Sequence, residues 1–205
     1  PERCAAALAQ VLTSGDEDAL NEAFSQLEHL GAATSPAIDA LLKLSHDDAE
    51  EAEAGEGDED EDDQASRDAR SAQRIREGAE RTLRVLVEAG VNDERAVADL
   101  IRRVDGGDFF AMDALVKGRV FAAVEPIGRW LQHDDPSDRA CAASALAELG
   151  APGVPLLVAA LGRDDLVPDE LAVLAYKVSK IGPDAAPAVP RLLELAADAR
   201  RPDEL

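Results

Sequence analysis

Ala142, Ala145, Leu146 and Leu149 recur at the three- and four-residue spacing of one helix face, and the run stops at Gly150. Val154, Leu157, Val158 and Leu161 mark a second such face. Pro155 stands near its start, where a fixed φ and a missing N–H are tolerated. The spacing therefore predicts a helix pair over 136–149 and 153–161. The same pattern returns along the chain. Gly31 precedes Pro36 by five residues, as Gly150 precedes Pro155 and Gly182 precedes Pro187. A further copy begins at Gly90 with Arg95 in the proline position, and another has Pro126 with Phe121 in the glycine position. The markers at 95, 126, 155 and 187 lie 31, 29 and 32 residues apart. From 36 to 95 is 59 residues, one period plus an insertion of about 28.

First helices are expected near 17–30, 66–89, 107–120, 136–149 and 167–181. Second helices are expected near 35–45, 92–104, 123–132, 153–161 and 185–199, with a leading helix over 3–13. An amphipathic pair of this size has no core of its own, so stacking on its neighbours is what folds it. The chain reads as a leading helix and first repeat over 1–46, an acidic flexible insertion over 47–65, four repeats over 66–200 and a tail over 201–205.

DDPSDRACAASALAELGAPGVPLLVAAL resembles a short HEAT repeat of the type found in phycobilisome-lyase-like proteins. Asp135, Pro136, Arg139, Ala142, Ala143, Gly150, Val154 and Pro155 fill that pattern. The resemblance implies an all-α, right-handed superhelix of about five helix pairs. In the other copies Leu20, Ala79, Phe110 and Leu171 stand where Arg139 does, so a continuous Asp–Arg ladder is not expected. The Trp-Gly-Tyr series of tetratricopeptide repeats and the TPLH box of ankyrin repeats are both missing. The resemblance also implies a function: a concave face that binds another protein or, alternatively, a bilin lyase-like subunit acting on a chromophore-bearing partner. A HEAT-like DNA glycosylase is a third reading, which the charge opposes.

The net charge is −22, from 43 acids against 21 bases, and twelve of the acids lie between Asp47 and Asp63 without a base among them. Nucleic-acid backbones and anionic lipid both call for Lys and Arg, so neither is an expected partner. Only four bases are Lys. Low Lys with high Asp and Glu fits a salt-loving source, and GC-rich codon usage explains it equally well. Like charges at almost every position, with Gly55 and Gly57 and no large apolar residue, predict a flexible segment. It reads either as a solubilising loop or as a lure for a basic patch on a partner, with Asp58, Glu59, Asp60, Glu61, Asp62 and Asp63 its densest part. A calcium loop is not expected, because the sixth and twelfth positions counted from Asp58 are Asp63 and Ala69 instead of Gly and Glu.

No run approaches the roughly 18–20 apolar residues of a membrane helix, and no basic-then-apolar segment opens the chain. Cys4 and Cys141 are far apart and nothing in their spacing calls for a disulfide; Cys141, in an Ala-rich run, reads as a small buried hydrophobe. A cytoplasmic location follows. His29, His46 and His133 are widely separated, two of them beside expected helix ends, a favourable place for a partly positive ring. DGGDFF over 105–110 lacks the Lys-Ser/Thr of a phosphate loop and reads as a helix stop followed by an Asp N-cap. No catalytic set, metal site or cofactor site is expected.

In RAVADLIRRV, burial of Val97, Leu100, Ile101 and Val104 turns Arg102 and Arg103 outward. Arg129 and Trp130 occupy the corresponding helix of the next copy, and the resemblance implies that these second helices line the concave face. Arg and Trp commonly anchor protein interfaces. The favoured readings are nonetheless a salt-bridged solvated face for the arginines and packing against a neighbouring repeat for Trp130.

Overall fold

The computed structural model describes residues 2–14, 16–46, 64–163 and 165–198. Most of the acidic insertion, including Asp58 to Asp63, and the tail from 199 onward lie outside the described residues. Among those described the chain is helical with no strand. The helices are α1 (Glu2–Val11), α2 (Glu17–Leu30), α3 (Ile38–His46), α4 (Gln64–Glu88), α5 (Glu94–Asp105), α6 (Phe109–Lys117), α7 (Val124–Arg129), α8 (Pro136–Leu149), α9 (Val154–Leu161), α10 (Pro168–Lys180) and α11 (Val189–Asp198).

Their boundaries follow local chemistry. The Asp135 carboxylate accepts from the Ser137 N–H at 2.7 Å and Pro136 opens α8. Asp108 caps α6 likewise, accepting from Phe110 and Ala111. The recurrent glycines share a positive φ: Gly31, Gly90, Gly150 and Gly182 have φ of 54°, 88°, 78° and 79°. A side chain resists that region, which is why the sequence marker and the structural corner coincide. The copy without the glycine makes its corner two residues before Phe121, at Arg119, with φ 54°.

Two expectations change here. Four of the second helices do not begin as α-helix. Gly31–Ala37, Phe121–Ala123, Ala151–Gly153 and Gly182–Ala188 are 3-10 segments leading into α3, α7, α9 and α11. Pro36, Pro152 and Pro187 lie within these segments, and 3-10 turns are frequent at α-helix N-termini. Gly153 closes one of them so tightly that an added Cβ would lie against the Leu146 carbonyl. In addition, Gln64 and Ala65, assigned to the insertion by composition, belong to the first turn of α4.

The chain divides into two compact units, Pro1–Arg102 and Arg103–Leu205, with the boundary inside α5. In the first unit α4 packs on α2 and α3, and α1 packs on the 31–37 segment and on α2. Phe24, Leu20, Leu27, Ile38, Leu41, Leu83 and Leu86 form its core, Phe24 lying over Gly78. In the second unit α8 packs against α6, α7 and α10, and α9 packs against α10, the 182–188 segment and α11. Leu115, Ile127, Leu146, Leu157 and Leu161 are fully buried there. One relation recurs: α7 lies on 151–153 and α9 on 182–188, so at these two joins the second helix abuts the lead-in of the next copy, and the leading helix α1 lies on 31–37 in the same way.

Cys141 is exposed, not buried. The face of α8 that turns inward carries Ala142, Ala143, Ala145, Leu146 and Leu149, which leaves position 141 on the solvent side. Small apolar neighbours in sequence did not mean an apolar surrounding.

Candidate functional site

The first unit offers two polar clusters, and the second an aromatic cluster and an apolar cleft. In the first unit, α5 presents Asp99 with its side chain only 3% exposed. His46, the last residue of α3, approaches it through Nε2 at 2.6 Å, and Arg102 donates to the same oxygen at 2.5 Å. The Arg102 guanidinium also lies 2.6 Å from His46 Nε2. Arg102 is outward as expected, and its charge answers a buried carboxylate of its own helix.

Arg95, which stands in the marker-proline position, ties its copy to the preceding one. Its guanidinium donates to the Ser35 carbonyl at 3.1 Å and pairs with Asp93 at 2.9 Å and Asp39 at 2.6 Å. The Arg95 hydrogen bond, helped by Ser35, outweighs desolvation and lowers the Asp93 carboxyl from 3.8 to about 2. The same contact raises Arg95 above its ordinary value.

In the second unit Trp130 is 3% exposed. Its ring meets Phe109 edge-on at 4.8 Å and stacks on His133 at 4.9 Å. Its indole N–H donates to the Val104 carbonyl at 3.2 Å, the partner a buried indole needs. The interface reading of Trp130 is thereby corrected: the ring fills its own unit and offers no anchor at the surface. Arg129, beside it, is exposed and pairs with Asp105 at 2.7 Å. Arg103 is half-buried. Arg102 belongs to the first unit, whereas Arg103, Arg129 and Trp130 belong to the second.

The cleft has a volume of about 290 Å³ and lies between α8 and α10, over Ala160 of α9. Ala140 and Ala143 on one side and Val173 and Leu174 on the other make its walls aliphatic. Small side chains on α8 are what open it. Arg139 of α8 and Glu170 of α10 bridge across, each side chain 16% exposed. Arg139 also donates to the His133 and Asp134 carbonyls at 2.6 and 2.8 Å. Hydrogen bonding from Arg139 lowers the Glu170 carboxyl below its ordinary value, and Arg163 lowers that of Asp165 to about 2. Sequence reasoning read Arg139 as part of a repeat pattern but missed the cleft. The available signal was the pairing of that arginine with small residues at 140 and 143, above the unusually long joint GRDDLVPDE.

A second regularity emerges from the donors. Trp130 reaches the Val104 carbonyl, Arg163 the Leu131 carbonyl and Arg191 the Leu161 carbonyl, across 26, 32 and 30 residues. In each case a side chain from one copy donates to a backbone carbonyl near the end of the preceding second helix; the Val104 carbonyl also accepts from the Gly107 N–H at 3.0 Å. Among the described residues no group of three or more His, Cys, Asp or Glu side chains could hold a metal ion, and no helix is long and apolar enough to cross a membrane. No family model matches the chain, nor does any curated protein or solved structure.

Proposed function

We propose that the chain is a right-handed α–α superhelix of HEAT-like pairs and serves, without chemistry of its own, as a short cytoplasmic scaffold for another protein. The observation that carries this reading is the one-period recurrence of carbonyl-satisfying donors, at Trp130, Arg163 and Arg191. Contacts of one kind between successive copies, though not at identical positions, support a stack that generates extended surface. The cleft supports the binding role. Its aliphatic walls suit a leucine- or valine-sized side chain, and the flanking Arg139–Glu170 and Arg163–Asp165 pairs supply polar edges. Arg102, Arg103 and Arg129 are the basic groups proposed to contact the partner, and the acidic run over 58–63 is proposed to attract a basic patch on it.

Affinity capture from native lysate tests this with three baits: the whole chain, a chain lacking 47–63, and Val173→Glu, which places a charge in the cleft. A partner retained by the whole chain and lost with Val173→Glu is the expected result. Equal retention on all three folded baits would overturn the reading. A saturable red shift on titrating the protein with a bilin would favour the lyase-like alternative instead.

A further inference from the structure

The charges along the α8–α10 cleft are unevenly committed. Of the four charged residues that line it, Arg139, Arg163 and Glu170 already have partners. Arg139 meets Glu170 and two carbonyls, and Arg163 meets Asp165. Glu170 is engaged a second time, by the Val167 N–H at 3.1 Å. The fourth residue, Asp169 in the first turn of α10, is exposed and makes no hydrogen bond or ion pair among the described residues. An entering anion would have to compete for an arginine that is already paired, whereas an entering cation meets Asp169 and disturbs neither pair. With Asp165 included, two bases stand against three acids here, in a chain of net charge −22. The cleft therefore selects a positive ligand.

Its aliphatic wall narrows the class further. Val173 contributes to that wall and is still 41% exposed, so the cleft is open along α10. A space of about 290 Å³ holds a branched side chain whose main chain stays outside. Asp169 and Val173 are four residues apart, on one face of α10 with about 6 Å between them. Lys177 and Lys180 stand two to three turns further along the helix, which leaves only the Asp169 end favourable to a base. Arg139 in addition keeps a buried Nε–H without an acceptor. A peptide brings neutral main-chain carbonyls, which a simple amine lacks, and a carboxylate would set a second negative charge beside Glu170.

We propose that the cleft takes a peptide segment of the partner protein, with a leucine, isoleucine or valine entering between Ala143 and Val173 and a nearby lysine or arginine pairing with Asp169. This rests on the scaffold reading and adds the chemistry of the segment that docks.

Panning a phage-displayed library of random dodecapeptides against the whole chain tests it, with the enriched peptide then measured by fluorescence anisotropy. The expected consensus is an aliphatic residue with lysine or arginine within four positions. Val173→Glu should weaken the enriched peptide about tenfold or more and Asp169→Lys about fivefold or more, both with far-ultraviolet circular dichroism unchanged. Glu125→Lys makes the same change of net charge at an exposed site outside the cleft and should alter binding by less than about twofold. Replacing the peptide's base with glutamate should reverse the preference, so that Asp169→Lys binds better than the parent. Peptides that need Val173 but carry no base, indifference to Asp169→Lys, or an equal loss with Glu125→Lys would overturn the inference and leave the scaffold reading standing. The absence of any Val173-dependent peptide, or tighter binding of free 3-methylbutylamine, would overturn it too, and the lysate capture then decides the scaffold reading separately.

Discussion

Arg119 shows how far a single residue can depart from its local rule. The C-terminal ends of α4, α5 and α6 share a hydrogen-bond closure, Val91 N–H to Leu86, Asp108 N–H to Arg103 and Val120 N–H to Leu115. The left-handed corner is filled by Gly90, Gly107 and Arg119 respectively. Arginine there costs on the order of 1 kcal/mol relative to glycine, so Arg119→Gly should stabilise the protein by about 0.5–1 kcal/mol in urea unfolding. Asp93 provides the pH-dependent counterpart. Its folded value of about 2 lies beneath the 3.8 of the unfolded carboxyl, so its contribution is present above about pH 4 and vanishes as pH falls through 2. With Arg95 partly solvated, that contribution is about 1 kcal/mol. Asp93→Asn should therefore be less stable than the parent near neutral pH, with the difference closing as unfolding is measured at progressively lower pH. At this scale the sequence was readable where backbone geometry dictates the residue, as at Gly31, Gly150 and Gly182. It was unreadable at Cys141, because an Ala-rich run carries too little amphipathic contrast to say which side faces in.

Among the elements, the join between copies rests on polar closure as much as on apolar packing. The Trp130 N–H is the donor that can be removed with least disturbance. Trp130→Phe keeps an aromatic ring beside Phe109 and His133 and removes one of the two donors to the Val104 carbonyl, which retains the Gly107 N–H, and should cost about 0.5–1.5 kcal/mol by thermal or chemical unfolding. The α8, α9 and α10 boundaries were legible to within two residues because Asp135, Pro136, Gly150 and Pro168 punctuate them. The 3-10 lead-ins were not, since the choice between a three- and a four-residue turn depends on how closely the preceding helix approaches. Gly153 against Leu146 is one such approach. The cleft escaped for a related reason: it is a gap produced by Ala140 and Ala143 facing Val173, and facing partners are not encoded by spacing within either helix.

For the whole molecule, charge and fold separate cleanly. Residues 47–63 hold twelve of the 43 acids and no aliphatic side chain larger than alanine. Deleting the segment should bring the net charge from −22 to −10, leave the cooperative thermal unfolding followed by circular dichroism in place, and reduce solubility at low salt. The all-α class followed from composition and periodicity, whereas the division into two units did not, because the helical period runs through α5 without interruption. The thiols make that division experimentally accessible. Cys4 lies in one unit and Cys141 in the other, and both are open to solvent. Maleimide dyes attached to the natural chain would thus report, by energy transfer, the distance between the halves as salt, denaturant or a bound protein changes it.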